Sequence, residues 1–576
     1  MPDWFYRTVA QKSLFSMPGE SGRTLALGVI GTLGRFSAGR AVIDFMGHMS
    51  PDPRLSVVVD GVVFPSRIGL GWRVDPNRQA AEGLSRFGVG CIEFNANQAI
   101  DVERADGGTL VDVESRNHRL ASIPERLEVP RLIRSMGDGD TECLKLPSGK
   151  VLRVVPWDFT PKSISPDLDN GLVLQVGVRD ENGLWSVPCS LPEASLEKVR
   201  YWKGRLSDSA TLIVSGSVGD PEDALRLVEA GADLVLLDAA LVFKGPGLVK
   251  RCNEALLQRS ESPSRESVSV PLFRRAWVWG CLLGASLFLG GLATFWLAMT
   301  NVLLPYDESF LGMTSEDLRR LSPKLFDFMA HDRGTLAGTM LGLGWMYLAM
   351  ARCGVRRGVH GAQTALVVSA ATGFASFFSF FGFGYFDTLH AFVALALLQL
   401  TIQVLVNGDG GETECLKRPI DREDSAWRRA QWGQLVWILH AVGLLGAGGV
   451  ILIIGMTSVF VSEDLSFLCM TAEQAKNLDT RMIGVVAHDR ATLGGMLLAS
   501  GVAMLLSVLW LYRRGGRWLW KGIFGLGLPA YSISIGIHLW VGYTDLWHLV
   551  PALLGALLWA IGLCLSKGFL FDDYSK

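Results

Sequence analysis

The feature that most constrains this chain is a run of ionisable residues that occurs twice in apolar surroundings. Ala330-His331-Asp332-Arg333, followed by Thr335, Leu336 and Gly338, recurs as Ala487-His488-Asp489-Arg490 with Thr492, Leu493 and Gly495. Seven of nine positions agree at an offset of 157 residues. Upstream, Asp307, Phe310-Leu311 and Met313-Thr314 match Asp464, Phe467-Leu468 and Met470-Thr471 at the same offset. Downstream, Gly384-Tyr385, Asp387 and His390 return as Gly542-Tyr543, Asp545 and His548, shifted by one, and Arg274-Arg275-Ala276 resembles Arg428-Arg429-Ala430. A duplication keeps apolar positions for packing alone, but matching His, Asp and Arg require another reason.

Apolar spans follow the same order, near 277–304, 335–351, 362–383, 388–406, 432–460, 491–512, 519–541 and 546–566. Their lengths fit transmembrane helices. The expectation is an all-α polytopic membrane domain of eight helices in two repeats, 274–407 and 428–568, joined by a cytoplasmic linker over 408–427. With 49% hydrophobic residues and 18 Trp, the 576-residue chain is too apolar for a purely soluble protein, which makes the lipid bilayer its first partner. A formal net charge of −2 argues against nucleic acid. The nine cysteines form no CxxC pair, so neither a zinc site nor a disulfide framework is indicated and no metal ligand is assigned. The first 19 residues hold no uninterrupted apolar core, so no cleavable signal peptide is expected.

Arg274-Arg275, Arg352 with Arg356-Arg357, Lys417-Arg418 with Arg428-Arg429, and Arg513-Arg514 with Arg517 fall on one side of the eight spans. The positive-inside rule then predicts cytoplasmic termini and a cytoplasmic amino-terminal half. It sets His331, Asp332, Arg333, Asp387 and His390 at the outer membrane edge, with His488, Asp489, Arg490, Asp545 and His548 as their pseudo-symmetric partners. Two readings stay open for this membrane-edge cluster. The Asp residues cap helix starts while His and Arg snorkel, or the groups form a working cluster that relays protons or binds a metal, since ionisable groups in membrane segments are costly. His440 and His538 lie within spans without a repeat counterpart and are read as satisfied or functionally minor. His48, His118 and His360 are read as solvated.

The amino-terminal half has a different pattern. Residues 1–50 suggest an amphipathic helical module anchored by Trp4, Phe5, Tyr6, Leu14, Phe15, Leu25, Leu27 and Phe36. Val- and Ile-rich runs then alternate with helical patterns over 51–256, with candidate strands at Val63–Trp72, Cys91–Asn95, Val151–Val155, Gly171–Val178, Thr211–Gly216 and Leu234–Asp238. This alternation predicts an α/β barrel of the TIM type, divergent or incomplete. Asp220-Pro221-Glu222-Asp223 starts a helix, with proline in its first turn and acids against the dipole. Residues 257–273, rich in Ser, Glu, Arg and Pro, read as a linker.

At these residues the half-chain resembles the dihydroorotate dehydrogenases, in particular their membrane-associated, quinone-using class. Asp3-Trp4-Phe5-Tyr6 with Pro18, Glu20 and Arg23 looks like that class's helical module; Val58–Phe94, with Gly61, Pro65, Gly69, Gly71 and Phe87-Gly88, resembles its first two barrel strands. Ile213-Val214-Ser215-Gly216-Ser217, Asp223-Ala224-Leu225, Ala230-Gly231-Ala232 and Leu241 to Gly245-Pro246 resemble the last two. The resemblance implies an FMN cofactor, a quinone partner, and cofactor contacts at Gly69, Gly71, Arg153, Ser215, Gly216, Ser217, Asp238 and Ala239. The sequence also departs from the family. No Asn-x-Ser-Ser-Pro-Asn equivalent carrying the catalytic base occurs. Pro76 and Arg153 stand where lysines are expected, and Asp238-Ala239-Ala240 replaces Tyr-Thr-Gly, where an acid repels a phosphate. The expectations are therefore a membrane-bound dehydrogenase-like oxidoreductase passing electrons to the bilayer, or a catalytically degraded barrel that regulates or anchors a transport or sensing domain.

Overall fold

The computed structural model describes the chain except for residues 1–2, 48–49, 97–99, 106–107, 115–120, 125–126, 137–141, 158, 160–169, 180–183, 261–270, 378–384, 387, 408–419, 477 and 573–576. Asp387 and most of both predicted linkers lie outside the described residues. The chain forms two compact units, one of Met1–Ser264, Cys415–Gln431 and Asp573–Lys576, the other of Arg265–Glu414 and Trp432–Asp572.

The first unit is a closed eight-stranded barrel whose strands neighbour one another in chain order: β1 (Ile68–Leu70), β2 (Ile92–Asn95), β3 (Arg131–Met136), β4 (Glu142–Lys145), β5 (Val151–Pro156), β6 (Gly171–Gln175), β7 (Thr211–Gly216) and β8 (Leu234–Leu237). β8 pairs with β1 in parallel and closes the ring. Every pairing is parallel except β3 with β4 and β4 with β5. The connections dictate this exception. Five residues separate Met136 from Glu142, and five separate Lys145 from Val151, whereas a parallel crossover needs about a dozen or more. The interval between the candidate strands Cys91–Asn95 and Val151–Val155, where no strand was expected, thus supplies two of the eight, Arg131–Met136 and Glu142–Lys145. Its other part, Ile100–Ala105 and Thr109–Glu114, joins Val178–Arg179 and Trp185–Pro188 in a separate four-stranded sheet.

Strand alternation builds the interior in layers. Cys91, Leu132, Leu144, Leu152, Val154, Val173, Ile213, Leu234 and Leu236 form one apolar cluster, with Phe64 from the hairpin Val57–Val59/Val62–Phe64 packed into it. Their neighbours Leu172, Leu174, Leu212, Val214, Val235 and Leu237 face the other way, into the core beneath the helices. Helix α3 (Pro221–Glu229) begins at Asp220-Pro221 as predicted. The Asp220 side chain accepts from the amides of Glu222 and Asp223, and Asp223 accepts in turn from that of Asp220.

Two further helices of this unit, α1 (Gly19–Arg35) and α2 (Ser37–Gly47), with Phe36 between them, expose Leu25, Val29, Phe36, Val42 and Phe45. The opening residues are fastened to the barrel. Asp3 is fully buried against Arg251, 3.2 Å away, and Tyr6 Oη donates to the Val242 carbonyl. Glu423 accepts from Arg7, Lys244 and Arg251 at 2.9, 3.0 and 3.1 Å. Burial alone would raise the Glu423 pKa, but these three cations hold it below the usual carboxylate value.

The second unit is helical: α4 (Ala276–Ala298), α5 (Pro323–Ala349), α6 (Ala362–Phe377), α7 (Thr388–Val406), α8 (Ser425–Met456, of which the part from Trp432 on belongs to this unit), α9 (Thr480–Trp510), α10 (Arg517–Val541) and α11 (Leu546–Leu570). Six of these, α4 and α7 to α11, are long and apolar enough to cross a membrane. In α5 the first three turns carry Lys324, Asp327, Asp332 and Arg333, and α6 is shorter. Close helix approach recurs at the same offset of 157 residues. A Cβ on Gly291 would meet the Leu341 amide at 2.9 Å, and one on Gly448, 157 residues later, would meet the Leu498 amide at 2.8 Å. Small residues here let backbones touch.

Candidate functional site

Two residues from the apolar layer along each strand, toward the mouth where barrel sites are built, the inward positions turn mostly polar. They are Gly71, Glu93, Arg134, Glu142, Pro156, Gln175, Ser215 and Asp238. These groups engage one another. Arg73, following β1, donates from Nε and Nη2 to the two carboxylate oxygens of Asp112 at 2.7 and 2.8 Å and reaches Asp238 at 3.4 Å and Gln175 at 3.3 Å. Arg134 donates to Glu93 at 2.5 Å, to Gln175 at 3.0 Å and to Glu142 at 3.1 Å. Asp112 comes from the four-stranded sheet, whose Leu110, Trp185 and Val187 cover the mouth with Trp72 and Ala239. Burial pushes the Asp238 carboxyl up to about 6, with Arg73 pulling the other way.

The residues assigned by resemblance fall differently from expectation. Arg153 sits between the inward-facing Leu152 and Val154, so it points away from the interior and cannot contact a ligand in the mouth. The assignment failed because strand register, invisible at a single position, decides the face. Gly69 lies a layer too deep, where an added Cβ would meet Cys91 Sγ and Leu236. Gly71 is at the mouth, but the space beside it is taken: a Cβ there would meet Asp238 Oδ1 at 2.0 Å. Ser215, Gly216, Ser217, Asp238 and Ala239 do gather at the ends of β7 and β8. Ser215 Oγ, Ser217 Oγ and Asp238 Oδ1 are buried without a hydrogen-bond partner. Arg73, Glu93, Asp112 and Arg134, absent from the sequence assignment, make the centre of the mouth.

In the helical unit, His331-Asp332-Arg333 are the ninth to eleventh residues of α5, and Asp489 is the tenth of α9. Neither Asp332 nor Asp489 caps a helix. Asp545 does: its side chain accepts from the His548 amide at 3.0 Å at the start of α11. The two Arg-Asp pairs cross between the repeated motifs. Arg333 Nε donates to Asp489 at 2.8 Å, and Arg490 Nε to Asp332 at 3.3 Å. Each arginine also holds the upstream acid of its own motif, Arg333 to Asp307 at 2.9 Å and Arg490 to Asp464 at 2.8 Å. Each acid in turn accepts a tyrosine hydroxyl, from Tyr385 and Tyr543 respectively. Each arginine Nη1 finally donates to a valine carbonyl, Val302 or Val459, and both valines are left-handed, at φ 64° and 63°. A β-branched residue in that region is strained, and the strain recurs at the offset of 157.

The histidines divide unevenly between the two clusters. His488 Nδ1 meets Asp489 at 3.1 Å and its Nε2 meets His390 Nδ1 at 2.8 Å. His331 Nε2 meets His538 Nε2 at 2.9 Å, and His548 stands beside them. His538 was missed because it has no repeat counterpart; only the packing of α10 against α5 brings it in. Asp307, Asp464, Tyr385 and Tyr543 carried a signal, since all four belong to the repeated positions. His331, His538 and His548, with His440 and Tyr531, line a cavity of about 560 Å³.

These observations define a closed barrel with a charged, covered mouth, carried by a chain with membrane-length helices. The amino-terminal part is similar to dihydroorotate dehydrogenase (quinone). The Stenotrophomonas maltophilia protein of that name is 39% identical over 77 residues, which span 13% of this chain but only 22% of the relative. The Stutzerimonas stutzeri protein is 23% identical over 344 residues, covering 43% of this chain and 97% of the relative, and the Halobacterium salinarum protein is 24% identical over 340 residues, covering 45% and 96%. A crystal structure of DHODH from Eimeria tenella in complex with ferulenol aligns at 15% identity and a TM-score of 0.27, covering 36% of this chain and 85% of that one. No family model matches the chain.

Proposed function

We propose that the working centre of this protein is the paired His-Asp-Arg cluster of its helical unit, a transport or sensing domain of eight membrane helices in two repeats. In this reading the barrel is a catalytically degraded dehydrogenase relative that regulates or anchors it. The observation that carries the reading is the buried ion network at the barrel mouth. FMN, which the resemblance implies, does not fit these residues. The Arg73–Asp112 and Arg134–Glu93 pairs fill the centre of the mouth, Asp238 stands among the residues assigned to the phosphate, and the carboxylates around the two arginines outnumber them. An anionic group entering there meets Asp238 and would have to break pairs that are costly to separate when buried. The missing base loop points the same way, since removing a general base typically costs about 10²- to 10⁴-fold in rate.

The test is the flavin absorbance of the purified full-length protein, together with quinone-dependent orotate formation from dihydroorotate. The expected result is no stoichiometric flavin and a rate equal to the no-enzyme control. Bound FMN that dihydroorotate bleaches would overturn the reading. It would favour the second one, an FMN-dependent, quinone-coupled oxidoreductase at the bilayer. That second reading draws on α1 and α2, whose exposed Leu25, Val29 and Phe45, with Phe36 between the two helices, suit a module that meets lipid, and on the unpartnered hydroxyls of Ser215 and Ser217.

A further inference from the structure

We infer that His331, His538 and His548 form a transition-metal site, one per chain, whose remaining coordination position opens onto the 560 Å³ cavity of the helical unit. The inference rests on the reading that this unit holds the working centre. One ring nitrogen from each of the three lies within 4.8 Å of those of the other two. Their outer nitrogens are turned toward other groups. His331 Nδ1 lies 3.1 Å from Asp332 Oδ1, an ion-pair distance off the line of a good hydrogen bond. His538 Nδ1 donates to the Ser534 carbonyl at 2.6 Å, and His548 Nδ1 meets Tyr543 Oη at 3.2 Å. For His538 and His548 such outer partners fix the tautomer and leave Nε2 free as a ligand, and the Asp332 carboxylate beside His331 Nδ1 favours the same tautomer there, the pattern seen behind metal-bound histidines.

His331 Nε2 and His538 Nε2 are 2.9 Å apart, whereas two nitrogens on one tetrahedral zinc-sized ion stand about 3.3 Å apart for bonds of about 2.0–2.1 Å. Small ring rotations therefore admit the ion. Three neutral imidazoles select a borderline ion such as Zn²⁺, Cu²⁺, Ni²⁺ or Co²⁺ over Mg²⁺ or Ca²⁺. Three protein ligands with a vacant position on an apolar cavity is the arrangement of a site that binds or polarises a further molecule. The other charges nearby are already engaged. Arg490 is held by Asp332 and Asp464, and Tyr543 donates to Asp464.

Among the described residues the pseudo-symmetric cluster has no third histidine. It offers His390 and His488, but the position matching His538 at the downstream offset is Phe380. One site per chain follows, not two.

The experiment uses the full-length protein in detergent, stripped of metal and titrated with Co²⁺, whose visible absorption reports tetrahedral nitrogen ligation. One equivalent should bind and give that spectrum. His538→Gln and His548→Gln should each abolish it while His390→Gln keeps it, and Asp332→Asn should loosen the site about 10- to 100-fold. Tryptophan fluorescence and gel filtration identify any variant that misfolds. Absence of the one-equivalent spectrum in the unmutated protein, binding of two equivalents, or a full spectrum in folded His538→Gln would overturn the inference. Flavin content tests the barrel and Co²⁺ binding tests this site, so the two readings fail separately.

Discussion

Replacing Asp112 with leucine tests whether the network at the barrel mouth is packed filler. In the wild type Arg73 makes two short hydrogen bonds to Asp112, with both side chains essentially inaccessible. Asp112→Leu leaves the guanidinium with Asp238 at 3.4 Å and Gln175 at 3.3 Å, both too long to replace the lost pair. Removing one partner of such a buried pair costs about 3–5 kcal/mol. Arg73→Met should cost a similar amount, because it strands the Asp112 carboxylate. The double variant should lie within about 2 kcal/mol of wild type, since apolar groups of similar volume often replace a buried pair at little cost. The coupling is then several kcal/mol, far above the roughly 0.3–0.5 kcal/mol expected of independent sites. Hydrogen exchange of the β6, β7 and β8 amides in the intact protein reads the opening free energy of the barrel without separating it from the helices. Two single variants each costing under about 1 kcal/mol, or a double equal to their sum, would refute the reasoning.

Three other outcomes are expected. Asp238 has a folded pKa raised by burial to about 6 against an ordinary 3.8, so its ionisation disfavours the fold. Barrel stability should fall by on the order of 3 kcal/mol on its account as pH rises from about 4 to about 6, and Asp238→Asn should flatten that slope in hydrogen exchange; an unchanged slope would remove Asp238 as its source. In the helical unit, Asp332→Asn should couple to Arg490→Gln and be additive with His390→Gln, because the contact is with Arg490; the reverse pattern in thermal inactivation would discard the crossed pairing. For topology, cysteines at Ser315 and Glu473, with native cysteines removed, should react with an impermeant thiol reagent in intact cells while one at Arg356 does not, and labelling at Arg356 would invert the orientation.

Local chemistry was legible where the chain needs no distant partner. The helix start at Asp220-Pro221 and the strands Thr211–Gly216 and Leu234–Leu237 follow from capping and apolar runs alone. The ionisable residues shared by the two recurring motifs also marked Asp307, Arg333, Asp464 and Arg490 before any geometry was known. Strands Arg131–Met136 and Glu142–Lys145 escaped because their charged residues, Arg134 and Glu142, belong to the barrel mouth and so carry no apolar signature.

By itself the sequence determined that a dehydrogenase-like α/β half precedes helices of membrane length, and that the second half carries a repeated set of His, Asp and Arg. Only the tertiary structure decided which charges meet. It paired Arg333 with Asp489 and Arg490 with Asp332, because α5 and α9 pack against each other, and it turned Arg153 out of the barrel by strand register. It also brought His538, unmarked by any repeat, to 2.9 Å from His331. Periodicity encodes which face a residue lies on, but the partner across that face is set by how whole elements pack.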